Sequence, residues 1–137
     1  MKSFIYGYKR DIKRGGIYMC SLPREDNSFI HSGRRPVVVV QNDIGNCYSP
    51  TTIVVPMSAS KNNAEKTMPT HVRIKYNEIK RRQIMFKETT IMYEQILTID
   101  KRRLEEQIGW IDLNEEKHLK GITASFGINK KDILKSV

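Results

Sequence analysis

Hydrophobic positions in this chain fall mostly in short alternating or β-branched runs between polar loops, and only the last part has helical spacing. After the Gly15–Gly16 pair, Ile17 and Met19 lie on one side and Tyr18, Cys20 and Leu22 on the other, which predicts a first strand ended by Pro23. Residues 24–33 read as a polar loop with Phe29 and Ile30 near its tip. Arg35-Pro36 opens a second strand, because proline suits the first position of a strand, where its missing N–H does no harm. The valines at 37–40 predict a strand buried on both faces. Residues 42–46 are dense in turn formers, and Ser49-Pro50 extends that connection. The β-branched run from Thr51 to Ser58 predicts a third strand, with Pro56 placing it at an edge or marking its end.

Beyond a basic loop at 59–69, residues 70–76 alternate: His71, Arg73 and Lys75 face one way, Val72, Ile74 and Tyr76 the other. Residues 77–87 hold Lys80-Arg81-Arg82 and are expected to contain a helical turn. Residues 89–98 predict another strand, and Asp100 is expected to cap a short helix over 100–104. A sixth short strand is predicted over 107–111. Asn114 is expected to cap a terminal helix, with Leu119, Ile122 and Phe126 on one face and Gly127 as its stop. The order predicts a mainly β, β-rich α+β fold: a small barrel or strongly curved sheet closed by a helix. Residues 1–11 are expected to be an N-terminal extension and 12–137 a single domain, 137 residues being enough to bury roughly two-thirds of the unfolded surface.

Composition narrows the partners. No run of about 18 apolar residues is present, and the N-terminus is too short and interrupted for a signal-peptide core. The expected location is therefore the cytoplasm, with no membrane contact and with Cys20 and Cys47 as reduced thiols. Net charge is +9, which makes polyanions the leading class of partner. The excess is uneven. Residues 1–36 carry eight Lys/Arg against three acids and residues 61–87 eight against two, while residues 88–137 carry eight against nine.

Candidate chemistry follows by elimination. His31, His71, His118, Cys20 and Cys47 show no paired metal-ligand spacing, so no metal and no other cofactor is expected. A triad drawn from Ser58, His71 and Asp43 lacks a nucleophile elbow and is rejected. Arg34, Arg35, Ser58 and His31 remain. In an antiparallel pair, positions 35 and 58 emerge at the same end of the sheet. A guanidinium and a hydroxyl converging there suit phosphate recognition. A surface arginine pair and a strand-end hydroxyl are the competing interpretation.

The blocks Gly33-x-Arg35-Pro36-Val-Val-Val-Val-Gln-Asn-Asp-Ile-Gly-Asn46-x-Tyr48-Ser-Pro-Thr-x-Ile-Val, Met68-Pro69-Thr70-His71-Val72 and Glu94-Gln95-Ile96-x-Thr98-Ile99-Asp100-Lys101 resemble the MazF/PemK (Kid) toxins of type II toxin–antitoxin systems. The likeness spans about residues 12 to 128. It implies an SH3-like barrel with added helices, acting as a homodimer. It also implies a metal-independent endoribonuclease that cuts single-stranded mRNA at short sequences and is neutralised by a cognate antitoxin. The family's catalytic arginine falls on Arg35, and its catalytic threonine on Ser58, which keeps the hydroxyl. The sequence departs from the family at residues 28–33, at Gly15-Gly16, and at Leu97, where an arginine is usual.

The implied chemistry is attack of a ribose 2′-oxygen on its own phosphorus, giving 2′,3′-cyclic phosphate and 5′-hydroxyl ends. Arg35 suits charge stabilisation or acid donation, since a guanidinium holds its proton too tightly to be a good base. His31 lies in the substrate-proximal loop, and an unperturbed imidazole, with a pKa of about 6.5, suits acid–base work, against the plainer possibility of a loop histidine. Arg34, Asn42, Lys61, Thr70, Arg73 and Gln95 are the expected RNA contacts, joined by Lys66 and the cations at 80–82. An acidic, disordered antitoxin tail is expected in the same basic groove, with DNA met only indirectly through the antitoxin. Two rival functions keep this fold: a nucleic-acid-binding barrel that does not cleave, and a CcdB-like gyrase-poisoning toxin.

Overall fold

The structure, a computed structural model, describes residues 11–24, 26–28, 30, 32–58, 68–80 and 88–128. The chain order is β1 (Gly16–Leu22), β2 (Gly33–Val39), α1 (Asp43–Tyr48), β3 (Thr51–Ser58), β4 (His71–Lys75), β5 (Glu88–Met92), β6 (Leu97–Asp100), β7 (Leu104–Trp110) and α2 (Glu116–Ser125). Single 3₁₀ turns occupy Tyr76–Glu78, Tyr93–Gln95 and Lys101–Arg103. The strands form one antiparallel sheet in the order β4-β5-β3-β2-β1-β7, with β6 also paired to β3. Its two ends approach through paired backbone bonds between Lys80, just beyond β4, and Trp110 on β7, of 2.9 and 3.0 Å. The sheet is barrel-like but is not closed by a full strand ladder.

Alternation sends side chains to two cores. Ile17, Val38, Val55, Met57, Val72, Ile74 and Ile91 meet on one face, and Cys20, Leu22, Val37, Val39, Val54 and Ile99 on the other. Val37, Val38 and Val39 are all fully buried, as a continuous valine run requires of a strand covered on both sides.

Pro56 explains how one edge of β3 is used. Val40 N–H donates to Ile53 O across the β2 edge at 2.9 Å, so by alternation the polar groups of Val54 and residue 56 face the other edge. There β6 pairs with residues 51–54 and β5 with residues 57–58, leaving a gap at Pro56. A proline offers no N–H to that edge, and the chain crosses the gap in the 3₁₀ turn Tyr93–Gln95. The single strand expected over 89–98 is therefore two strands with a turn between them.

Other expectations change for local reasons. The turn-forming stretch at 42–46 becomes α1, because the Asn42 side chain caps the helix by accepting from Gly45 N–H at 2.8 Å. Buried Asn46 then fixes α1 to the sheet: its Oδ1 accepts from Thr52 Oγ1 at 2.8 Å and from Gln41 Nε2 at 3.1 Å. The ammonium of Lys101, itself fully buried, donates to the Asn46 carbonyl. Asp100 caps the turn that follows it, as expected, accepting from Arg102 N–H at 2.8 Å. Tyr76 lies outside β4, and β7 begins at Leu104, three residues before the expected 107.

Asn114 does not cap α2; Glu115 stands at that position without a side-chain cap, and Asn114 Oδ1 accepts from Arg14 Nη1 at 3.0 Å. The buried residues of α2 are His118 and Gly121, Ile122 packs against the first core, and Phe126 is exposed. Gly121 permits that docking, since a Cβ there would lie 2.6 Å from the Tyr93 ring. The helix ends as expected at Gly127, whose φ of 65° suits a residue without a Cβ.

Candidate active site

The second core face does not stay apolar along its whole length. The β2–β3 register pairs Val37 with Pro56, Val38 with Val55 and Val39 with Val54. Continued two residues, it sets Arg35 opposite Ser58. Ser58 also pairs with Thr90 on β5, Thr90 with Arg73 on β4, and Arg35 with Cys20 on β1. Directly opposed residues in antiparallel strands share a face. Arg73, Thr90, Ser58, Arg35 and Cys20 therefore form one row across five strands, at the end of the face where Val37, Val39 and Val54 give way to polar groups.

Arg35 is the best-fixed cation of that row. Its Nε and Nη2 both donate to the Ser32 carbonyl, at 3.0 and 2.8 Å. A guanidinium carries five N–H donors, so this grip on the neighbouring backbone orients the fork and leaves donors on Nη1 and Nη2. Partial burial lowers the Arg35 pKa from its ordinary value, yet an arginine remains a cation at neutral pH. Ser58 and Thr90 bring two hydroxyl side chains to the same row, and the adjacent Thr89 hydroxyl donates to the Ser58 carbonyl at 3.1 Å. Cys20 is fully buried, and that burial pushes its thiol up, so it is a neutral wall of the row rather than a nucleophile.

The other sequence-derived residues are dispersed. Arg34 points to the opposite face, where Nε meets Glu105 at 2.8 Å and Nη2 meets Glu106 at 2.7 Å. Arg73 is in the row but is paired with Glu88 at 2.7 Å. Lys80 lies over the Trp110 ring, 4.5 Å from its centre. Asn42 serves as the α1 cap at the far end of β2 from Arg35. Asp43 is at that far end too, accepting from Arg14 N–H at 2.7 Å, so it is apart from Ser58 and His71. Thr70 immediately precedes β4, and Gln95 lies in the 3₁₀ turn between β5 and β6. His31, Lys61, Lys66, Arg81, Arg82 and the extension at 1–10 lie outside the described residues. Among the described residues, no three His, Cys, Asp or Glu side chains converge as metal ligands, and no helix is long and apolar enough to cross a membrane.

Two features were missed in the sequence. Thr90 completes the hydroxyl pair; the signal available was the Thr89-Thr90 doublet opening a strand. The second is a cavity of about 300 Å³ lined by Leu22, Ile30, Ile96 and Leu97 together with Glu94 and Gln95. Leu22 ends β1 and Leu97 begins β6, and both belong to the second core face. The cavity thus opens at the same sheet end and on the same face as Arg35 and Ser58.

The fold is a half-open antiparallel barrel that carries an arginine–hydroxyl row at one end. The chain matches the PemK-like, MazF-like toxin of type II toxin–antitoxin system family over residues 13–120, and it belongs to that family. It is 39% identical over 128 residues to the endoribonuclease MazF of Staphylococcus epidermidis, covering 91% of this chain and 99% of that protein. In fold it is similar to MazF of Deinococcus radiodurans, with a TM-score of 0.67 at 14% identity, covering 88% of this chain and 100% of that one. A mycobacterial endoribonuclease solved in complex with its cognate antitoxin is similar too, with a TM-score of 0.63 at 18% identity over 86% and 97% of the two chains.

Proposed function

We propose that this chain is an endoribonuclease toxin that cuts single-stranded mRNA without a metal ion, at short sequences, and is held inactive by a cognate antitoxin. The observation that carries the proposal is the Arg35–Ser58 pair: a backbone-anchored guanidinium and a hydroxyl, side by side in register on one face. Its relationship to the Staphylococcus epidermidis endoribonuclease supports the reaction class, and the antitoxin-bound mycobacterial relative supports the partner.

In this mechanism the ribose 2′-oxygen attacks the adjacent phosphorus. The P–O2′ bond forms, the P–O5′ bond breaks, the 2′ proton passes to a base, and the leaving 5′-oxygen gains a proton. Negative charge builds on the non-bridging oxygens of the phosphorane. Arg35 meets that charge with the N–H donors not used on Ser32, already oriented and partly out of water, where such donors are most effective. The Ser58 hydroxyl adds a further donor to the same phosphate. A fixed cation in this position does the charge-stabilising work that a metal ion does elsewhere, which is why activity is expected in chelator.

The net charge of +9 supports a polyanionic substrate. Arg73 acts as a phosphate contact by exchanging Glu88 for a phosphate oxygen. The active unit is a homodimer, and the antitoxin's acidic tail folds onto the basic groove that otherwise holds RNA. The test is incubation of the purified protein with a long unstructured RNA in EDTA. Discrete cuts are expected; a stable complex with intact RNA would instead favour a binding protein.

A further inference from the structure

The cavity beside the Arg35–Ser58 row is apolar on most of its wall, yet it contains a carboxylate. Glu94 is an odd group to find there if phosphate is the only thing to be bound, because it repels the substrate backbone. It is also firmly held. Its Oε1 lies 2.6 Å from His71 Nε2, which makes Nε2 the protonated ring nitrogen. Burial alone would raise the Glu94 carboxyl, but polar contacts with Thr70, with its own backbone and with His71 outweigh burial and keep it below the usual carboxylate range. Glu94 is therefore an ionised, acceptor-only group in a cavity of about 300 Å³. That volume lies at the small end for ligand pockets.

We propose that this cavity reads one unpaired base of the RNA, with Glu94, positioned by His71, accepting from the exocyclic amino group of cytosine, adenine or guanine and rejecting uracil. Single-stranded RNA is recognised by bases splayed from the chain, packed on apolar surface and hydrogen-bonded along their edges. A carboxylate is a natural partner of an amino donor such as cytosine N4. Uracil presents two carbonyls flanking a single N–H, so a carboxylate set against that edge meets two acceptors for one donor. A site built around a polar group discriminates strongly when the partner lacks the matching group, because the buried group is left unpaired. Leu22 and Leu97 supply the apolar wall on which the ring lies. The proposal rests on the endoribonuclease reading of the Arg35–Ser58 row and adds to it the origin of one position of sequence preference.

A purely structural Glu94, tying its 3₁₀ turn to β4 through His71, is the competing role, and the two separate experimentally. The wild-type protein and Glu94→Gln are each incubated with a randomised RNA pool in EDTA, and the cut ends are sequenced. Wild type is expected to show one position near the cut that excludes uracil by about tenfold to a hundredfold, the range set by a hydrogen bond to a charged group. Glu94→Gln, whose amide offers donor as well as acceptor, is expected to admit uracil at that position and leave the other positions unchanged. An unaltered base profile in Glu94→Gln overturns this inference while leaving the nuclease assignment standing. Absence of any cut by wild type overturns the nuclease assignment itself. Should Glu94→Gln fold but not cut, binding of oligonucleotides differing only at that base is compared in Arg35→Ala and in Arg35→Ala/Glu94→Gln; equal base preference in the two would again refute the role. His71→Gln is the positioning control: it should weaken the same single preference, whereas a merely structural loss would lower cutting at all sequences alike.

Discussion

Arg35 on β2 stands opposite Ser58 on β3 when the Val37–Pro56 register is continued by two residues, and both side chains leave the same face of the sheet. Neither position is exceptional alone. Ser58 is a strand-end hydroxyl, and Arg35 follows another arginine. What distinguishes them is that the fold gives Arg35 a backbone anchor at Ser32 and a hydroxyl neighbour, whereas it gives Arg34 two carboxylates on the other face.

Adjacent arginines should therefore behave oppositely. Arg34→Ala is expected to retain cleavage within a few-fold of the parent, because its charge is already matched by Glu105 and Glu106. Gel-based cleavage rates at one RNA concentration check this, and a loss as deep as that of an Arg35 variant would show that the wrong arginine has been assigned.

Ser58→Ala should lower the single-turnover rate by about a hundredfold to a thousandfold, the usual effect of removing one donor to developing charge. Ser58→Thr restores a hydroxyl at the same position and should recover most of the activity. A serine acting only as strand-end filler would make both variants indistinguishable from the parent.

The α2 helix introduces a dependence on pH. Tyr93 Oη and His118 Nδ1 are 2.7 Å apart, and both residues are buried. Burial, with Lys117 nearby, lowers the His118 pKa to about 4. The folded value is below the unfolded value of about 6.5, so the unfolded chain takes up a proton first. Stability is complete above about pH 6.5 and falls as pH drops towards about 4, by about 3 kcal/mol over that window. Thermal melts should show the decline, and His118→Gln should flatten it. An unchanged slope in that variant would assign the acid sensitivity to other groups.

Lys101 offers a test of how the far end of the β2–β3 pair is held. Its fully buried ammonium donates to the Asn46 carbonyl, joining the turn after β6 to α1. Lys101→Met keeps much of the volume but leaves that carbonyl unpaired, which should cost about 1–3 kcal/mol. Urea unfolding midpoints measure this, with cleavage per folded molecule expected to be nearly unaffected.

The strands were legible where side-chain alternation decides structure. β3 begins and ends where its β-branched run does, and the valines of β2 are buried on both faces as their continuity requires. The sequence misled where a tertiary partner overrides local pattern. Residues 89–98 alternate well enough for one strand, but Pro56 on the neighbouring strand interrupts the ladder they would need. Asn42 looks like a turn former and is a helix cap, because Asn46, Thr52 and Lys101 make a helix worth forming at that point. In the candidate site, the placement of Arg35 opposite Ser58 is readable from antiparallel geometry. Thr90, the carbonyl of Ser32 and the Glu94–His71 pair were not, since each depends on contacts made across strands or within a loop. The basic character of β4 was readable as well, but not the carboxylates: Arg73 is matched by Glu88 and His71 by Glu94.

The most direct measurement is cleavage of a long unstructured RNA in EDTA by the wild-type protein and by Arg35→Ala, with folding checked by circular dichroism and the product ends analysed chemically. The expected result is discrete fragments bearing 2′,3′-cyclic phosphate and 5′-hydroxyl ends from the wild type, and loss of cutting by at least about a thousandfold in a folded Arg35→Ala, as for removal of a principal charge-stabilising group. Undiminished cutting by Arg35→Ala, or 5′-phosphate ends from the wild type, would contradict the assignment of this row as the cleavage centre.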